Sequence, residues 1–134
     1  MNKIILILSL FAFLDLYADD QKSPLIETQN FLKDPEQVKQ ETQTNNKARH
    51  ADKVAEITAL GQKEHKQEIY NISADLMPWL EEQTKGDVTK MQALILEAQK
   101  NPEAFYSRLP ASEKAKIKAL SEAIDSNRTK NKNP

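Results

Sequence analysis

Helix starts and stops crowd the stretch GDVTKMQALILEAQKNPEAFYSRLPAS, residues 86–112, and they constrain this chain more than any other feature. Gly86 suits a left-handed helix stop, and Asp87 supplies a capping carboxylate for the segment that follows. In that segment Val88, Met91, Leu94, Ile95 and Ala98 form one face, broadened by Leu96. Asn101 and Pro102 then open a short helix, PEAFYSRL, with Phe105 and Tyr106 at the corner. Pro110 stops it, and Ser112 is expected to cap a last helix whose stripe is Ile117, Leu120 and Ile124. Each boundary falls where the apolar pattern changes, and agreement between these two levels marks a specified fold.

Gly61 is the only other glycine, and helix formers dominate the rest of the chain. Runs of alternating β-branched residues are missing beyond the N-terminus. The expected fold is therefore all-α, a small helical bundle of three to four helices. From Val54 the residues Ile57, Leu60, Ile69, Ile72, Leu76 and Leu80 recur at helical steps. The polar run QKEHKQE, residues 62–68, is expected to continue the same helix with a solvent-facing or partner-facing surface. Pro78 has no N–H to donate and should kink that helix or end it.

Upstream of Val54 the pattern weakens. Asp34-Pro35-Glu36 reads as a helix start, but residues 39–53 hold no large apolar side chain. A helix without a buried stripe bridges solvent or is unstable. Residues 19–53 are thus expected as a polar, partly disordered arm or solvated helix, broken at Asn45-Asn46. Residues 54–126 form the expected helical domain, and 127–134 a disordered basic tail.

The N-terminal residues follow a different logic. Lys3, the apolar run IILILSLFAFL and the small residue of LYA before Asp19 have the layout of a secretory signal peptide, residues 1–18, cut after Ala18. The run is short for a hydrocarbon core of ~30 Å, and Asp15 closes it. No cysteine is present, so neither a disulfide framework nor a lipidated cysteine is available. These features predict export, to the periplasm if the source is a Gram-negative bacterium and otherwise to the outside of the cell. An uncleaved N-terminus would instead make the chain an envelope-tethered structural factor.

Charge and motif content narrow the function. The formal net charge is −1, which argues against a nucleic-acid binder. The C-terminal end is mildly basic, with Arg128, Lys130 and Lys132, and suits at most a weak contact with a membrane surface or an acidic partner. No phosphate loop, serine-nucleophile motif or cysteine nucleophile occurs, so no catalytic residue, cofactor or metal site is assigned. A second reading makes the chain a small metal-binding or enzymatic protein using His50, His65 and the acids Glu64 and Glu68. His65 and Glu68 share a helix face, but a zinc site wants three or four ligands. Glu81 and Glu82 are adjacent on a helix and diverge too far to work as a glycosidase pair.

Trp79, the sole tryptophan, stands in LMPWLEE beside Pro78. Its apolar body and polar N–H fit either a core anchor or an interface anchor. Met77, Trp79, Leu80 and Tyr106 are the residues expected to contact a partner. The first reading is accordingly an exported, non-enzymatic helical protein that binds another protein, as adaptor, accessory or chaperone-like factor, with homo-oligomerisation as a further means of covering a thin core. Leu109-Pro110-Ala111-Ser112-Glu113 and the residues on to Leu120 resemble the L-T-x-x-Q helix start of small periplasmic Spy/CpxP-type helical proteins. The resemblance spans about twelve residues, with Pro110 in place of Thr and Glu113 in place of Gln. It implies a periplasmic chaperone-like dimer with a concave charged face. The departures at both signature positions leave the family unassigned.

Overall fold

The computed structural model describes residues 30–132. Among them lie six helices and no strand: α1 Pro35–Thr44, α2 Asn46–Thr58, α3 Lys63–Thr84, α4 Val88–Lys100, α5 Pro102–Arg108 and α6 Ala111–Lys132. A helical turn at residues 30–33 precedes them. The all-α expectation holds. The helices outnumber the three to four expected because the polar segment before Val54 contributes α1 and part of α2, and PEAFYSR forms a helix of its own. The signal peptide expected over residues 1–18 lies outside the described residues.

The helix α3 is the centre of the architecture, and α2, α4 and α6 all pack against it. It is amphipathic enough to serve three neighbours: Ile69, Ile72, Leu76, Met77 and Leu80 are all buried. Met91, Leu94, Ile95 and Ala98 of α4 close one side, and Ile117, Leu120 and Ile124 of α6 another. Three hydroxyls inside the fold avoid a desolvation cost by bonding the carbonyl one turn back. Thr58 reaches Val54 O, Ser73 reaches Ile69 O and Thr84 reaches Leu80 O, each at 2.8 Å.

Side-chain caps set most of the boundaries. Asp34 Oδ1 accepts from Glu36 N at 3.0 Å and starts α1. Asn45 ends α1 and starts α2, its Oδ1 accepting from Lys47 N at 2.9 Å and Ala48 N at 3.1 Å. Asp87 caps α4 through Thr89 N at 2.8 Å, and Asn101 caps α5 through Ala104 N at 3.4 Å. Ser112 does not cap α6 as expected. The helix begins at Ala111, the Pro110 carbonyl accepts from Lys114 N at 3.0 Å, and the Ser112 hydroxyl turns to Glu113 Oε1 at 3.3 Å.

Three further expectations are corrected. The helix from Val54 does not run on through residues 62–68: it stops at Thr58 in a Schellman arrangement, with Leu60 N bonded to Ile57 O and Gly61 N to Glu56 O. The left-handed residue that this motif needs is Leu60 (φ 56°), followed by Gly61 (φ 75°). Leucine at such a φ is strained relative to glycine, which is why the stop is invisible in a search for glycine alone. Secondly, residues 35–53 are helical and docked. They bury Val38, Ala48 and Ala51, and the stripe of small residues runs on through Ala55 and Ala59. Thirdly, α6 continues to Lys132, through most of the expected disordered tail. No glycine or proline interrupts it before Pro134, so a helix anchored by Ile117, Leu120 and Ile124 propagates freely.

Candidate functional site

The short helix α5 exists because Pro102 opens it and Pro110 forbids its extension. That brevity leaves Phe105 and Tyr106 on diverging faces. Phe105 is 1% exposed and meets Trp79 of α3 edge to face, with ring centroids 5.7 Å apart at 82°. Tyr106 is half-buried and donates from its hydroxyl to Lys114 O at 3.1 Å, which fastens α5 to the first turn of α6. Trp79 packs one side of its indole on the core and keeps the rest in solvent. Among the described residues its Nε1–H has no acceptor. Pro78 beside it is exposed, although α3 runs through that proline to Thr84.

The four expected contact residues therefore separate. Trp79 and Tyr106 lie at one corner and reach the surface. Met77 and Leu80 are 0% exposed. They point into the core because they follow Ile69, Ile72, Ser73 and Leu76 on the inner face of α3, and they offer nothing to a partner in this conformation.

Two ionic clusters tie the helices together. In the first, the Tyr70 hydroxyl donates to Asp52 Oδ1 across the α2–α3 contact, and Lys66 Nζ lies 2.9 Å from both Asp52 oxygens. Burial, then the hydrogen bond to Asp52 and the charges of Asp52 and Glu56, pushes the Tyr70 phenol well above its usual range. Tyr70 is thus held in its protonated form as a donor to Asp52. In the second, Asp75 of α3 receives Lys33 at 3.0 Å on one oxygen and Lys116 of α6 at 3.0 Å on the other. Burial raises the Asp75 carboxyl, but the hydrogen bonds from Lys116 and Lys33 outweigh it and hold the group below the ordinary carboxylate value.

A depressed carboxylate contributes stability above its unfolded-state value of about 4, and the contribution is lost as pH falls from there through the folded value. Both lysines are about half exposed, so screening keeps the effect small. Asp75→Asn is expected to cost about 1 kcal/mol at pH 7, and the deficit should shrink as pH falls below about 4. Urea midpoints above and below that value check this; an equal deficit on both sides would show that the side chain acts by packing.

The histidines do not converge on a metal site. His50 is exposed on α2, while His65 Nε2 lies 2.6 Å from Asn127 Nδ2 of α6, which also reaches Gln62 Oε1 at 3.3 Å. Glu64 and Glu68 face solvent. Among the described residues no group of three or more histidine, cysteine or acidic side chains is placed to hold a metal ion. Nor is any helix among them long and apolar enough to cross a membrane.

No family model, curated protein or solved structure matches this chain. The site must therefore be read from its own chemistry. Sequence inspection found the aromatic corner but missed both ionic clusters, whose charged pairs lie 14 to 42 residues apart. What the corner offers is a partly exposed indole packed on Phe105, beside an exposed proline, with a braced tyrosine on the neighbouring helix.

Proposed function

We propose that this chain is an exported, non-enzymatic helical protein that binds another protein through the corner carrying Trp79 and Tyr106. It would act as an adaptor, accessory or chaperone-like factor of the cell envelope, after removal of a signal peptide at Ala18. One observation carries the reading: the Trp79 ring is braced against Phe105 while part of its surface stays open to solvent. A pre-positioned tryptophan loses little rotamer freedom on binding, and its N–H can exchange water for an acceptor on the partner. Residues of this kind dominate interface energetics.

Because Trp79 is the sole tryptophan, its emission reports directly on the corner. A partner isolated from the native envelope by light crosslinking should shift that emission to the blue on binding. Trp79→Ala should weaken the binding at least tenfold, on the order of 1.4 kcal/mol or more, with the helical circular dichroism retained. Trp79→Phe should fall between the two, since it keeps the apolar contact and loses the donor. Equal affinity for all three chains would remove the corner from the function.

A further inference from the structure

We infer that two copies of this chain form a dimer by trading residues 30–58. In each copy α2 and α3 fuse into one helix, and the α1–α2 hairpin packs on the α3 of the other copy. The joint between those helices is residues 59–62. Leu60 (φ 56°) and Gly61 (φ 75°) are both left-handed there. A leucine held in that region is strained, and a short strained hinge favours exchange between copies.

The joint is also sparingly bonded. Side chains cap the first turns of α1, α2, α4 and α5, but Gln62 makes no side-chain cap bond to α3. If residues 59–62 became helical, the N–H groups of Lys63, Glu64 and His65 would bond to the carbonyls of Ala59, Leu60 and Gly61. Between Ala59 and Glu68 only Gly61 opposes a helix by its composition. A fused helix therefore relieves Leu60 and satisfies three amides, against the cost of one glycine in its interior.

Straightening the joint carries the hairpin away from its own α3, and a second copy supplies the replacement. The vacated surface already fits an identical hairpin, so no new complementary patch is needed. Asp52 would again receive Lys66 and the Tyr70 hydroxyl, and Lys33 would again meet Asp75, now between chains. Because Asp52 pairs with residues 66 and 70, the centre of the pairing lies at Leu60, where the two fused helices cross antiparallel. Ile57 lies three residues before that crossing. It is 66% exposed in the single chain, more than any other large apolar side chain among the described residues. The crossing gives it a neighbour. Helices α4, α5 and α6 keep their own contacts, so this dimer does not depend on the Trp79 surface.

Sedimentation of the full chain tests the trade, after incubation at high concentration near the melting temperature. A slowly reverting species of twice 15.3 kDa is expected. Gly61→Ala should raise the association constant about tenfold or more. Nothing lies within 4 Å of the added Cβ, so alanine fits the space, opposes the left-handed turn and favours the fused helix. Leu60→Gly should lower the constant, because it relaxes the turn and weakens the fused helix. Carbodiimide crosslinking identifies the geometry in a dimer grown from isotope-labelled and unlabelled chains. Lys66–Asp52 and Lys33–Asp75 links should join labelled to unlabelled chains, whereas Lys116–Asp75 links stay within one chain. Parent and Gly61→Ala chains that both remain monomeric overturn the proposal. So does a dimer whose Lys66–Asp52 links all stay within single chains, since it associates through some other surface.

Discussion

Phe105→Ala is expected to lower the free energy of unfolding by about 3 kcal/mol, within the range for emptying a buried aromatic site. The ring is 1% exposed, belongs to the core cluster and meets Trp79 of α3 from a helix packed on α4. Removing it deletes apolar contact and leaves a cavity, and the edge-to-face contact with Trp79 goes with it. Collapse around the gap is hindered, because Tyr106 is tied to Lys114 O and Arg108 to Glu97 at the two flanks of α5. For a domain of this size the loss corresponds to roughly 10–20 °C in melting temperature. Phe105→Leu, which keeps most of the volume, should cost about half as much. If Phe105→Ala melts within a few degrees of the parent, α5 is not part of the cooperative fold.

The second large effect has the opposite sign. Pro78→Ala should stabilise the protein by about 2 kcal/mol. Within a helix interior, proline lacks the N–H that would bond one turn back and its ring crowds the preceding turn, together about 3 kcal/mol worse than alanine. Its stiffening of the unfolded chain offsets up to about 1 kcal/mol of that. The Pro78 ring is exposed, so the substitution forfeits no burial. A higher urea midpoint with an unchanged slope is the expected readout. A lower midpoint would mean that the local backbone set by the proline is needed to seat Met77 and Leu80. The residue that follows is Trp79, and straightening α3 would re-aim it. Greater stability combined with weaker partner binding would show that the proline serves the surface rather than the core.

The legibility of this fold varied along the chain for physical reasons. Asp34, Asp87 and Asn101 were readable as caps, and Asn45 as a break though not as a cap, because a short acceptor beside a proline or a change in apolar pattern has few other uses. Ser112 misled because the Pro110 carbonyl already serves the first turn of α6. The break after Thr58 was hidden by Leu60, which adopts a left-handed conformation that its side chain disfavours. Residues 39–53 looked unable to dock because only large apolar side chains were counted. Trp79 and Tyr106 stood out by composition alone, but the burial of Met77 and Leu80 depends on how α3 is rotated among its three neighbours. Asp75, Lys33 and Lys116 were out of reach altogether, since nothing in local spacing announces a pairing across 41 residues.

The alanine stripe of α2 bears on how the molecule comes apart. A buried methyl contributes about 0.8 kcal/mol, against roughly 1.5–3 kcal/mol for a buried leucine or isoleucine. The α1–α2 hairpin buries Val38, Ala48, Ala51, Ala55 and Thr58, and its main polar tether to α3 is the Asp52 cluster. The rest of the fold is held by phenylalanine, leucine, isoleucine and methionine. Free energy is therefore distributed unevenly, and the N-terminal hairpin forms a separate low-cost opening unit. Amide hydrogens of residues 35–58 are therefore expected to exchange faster than those of α3, α4 and α6, through an opening that uncovers Tyr70 without global unfolding.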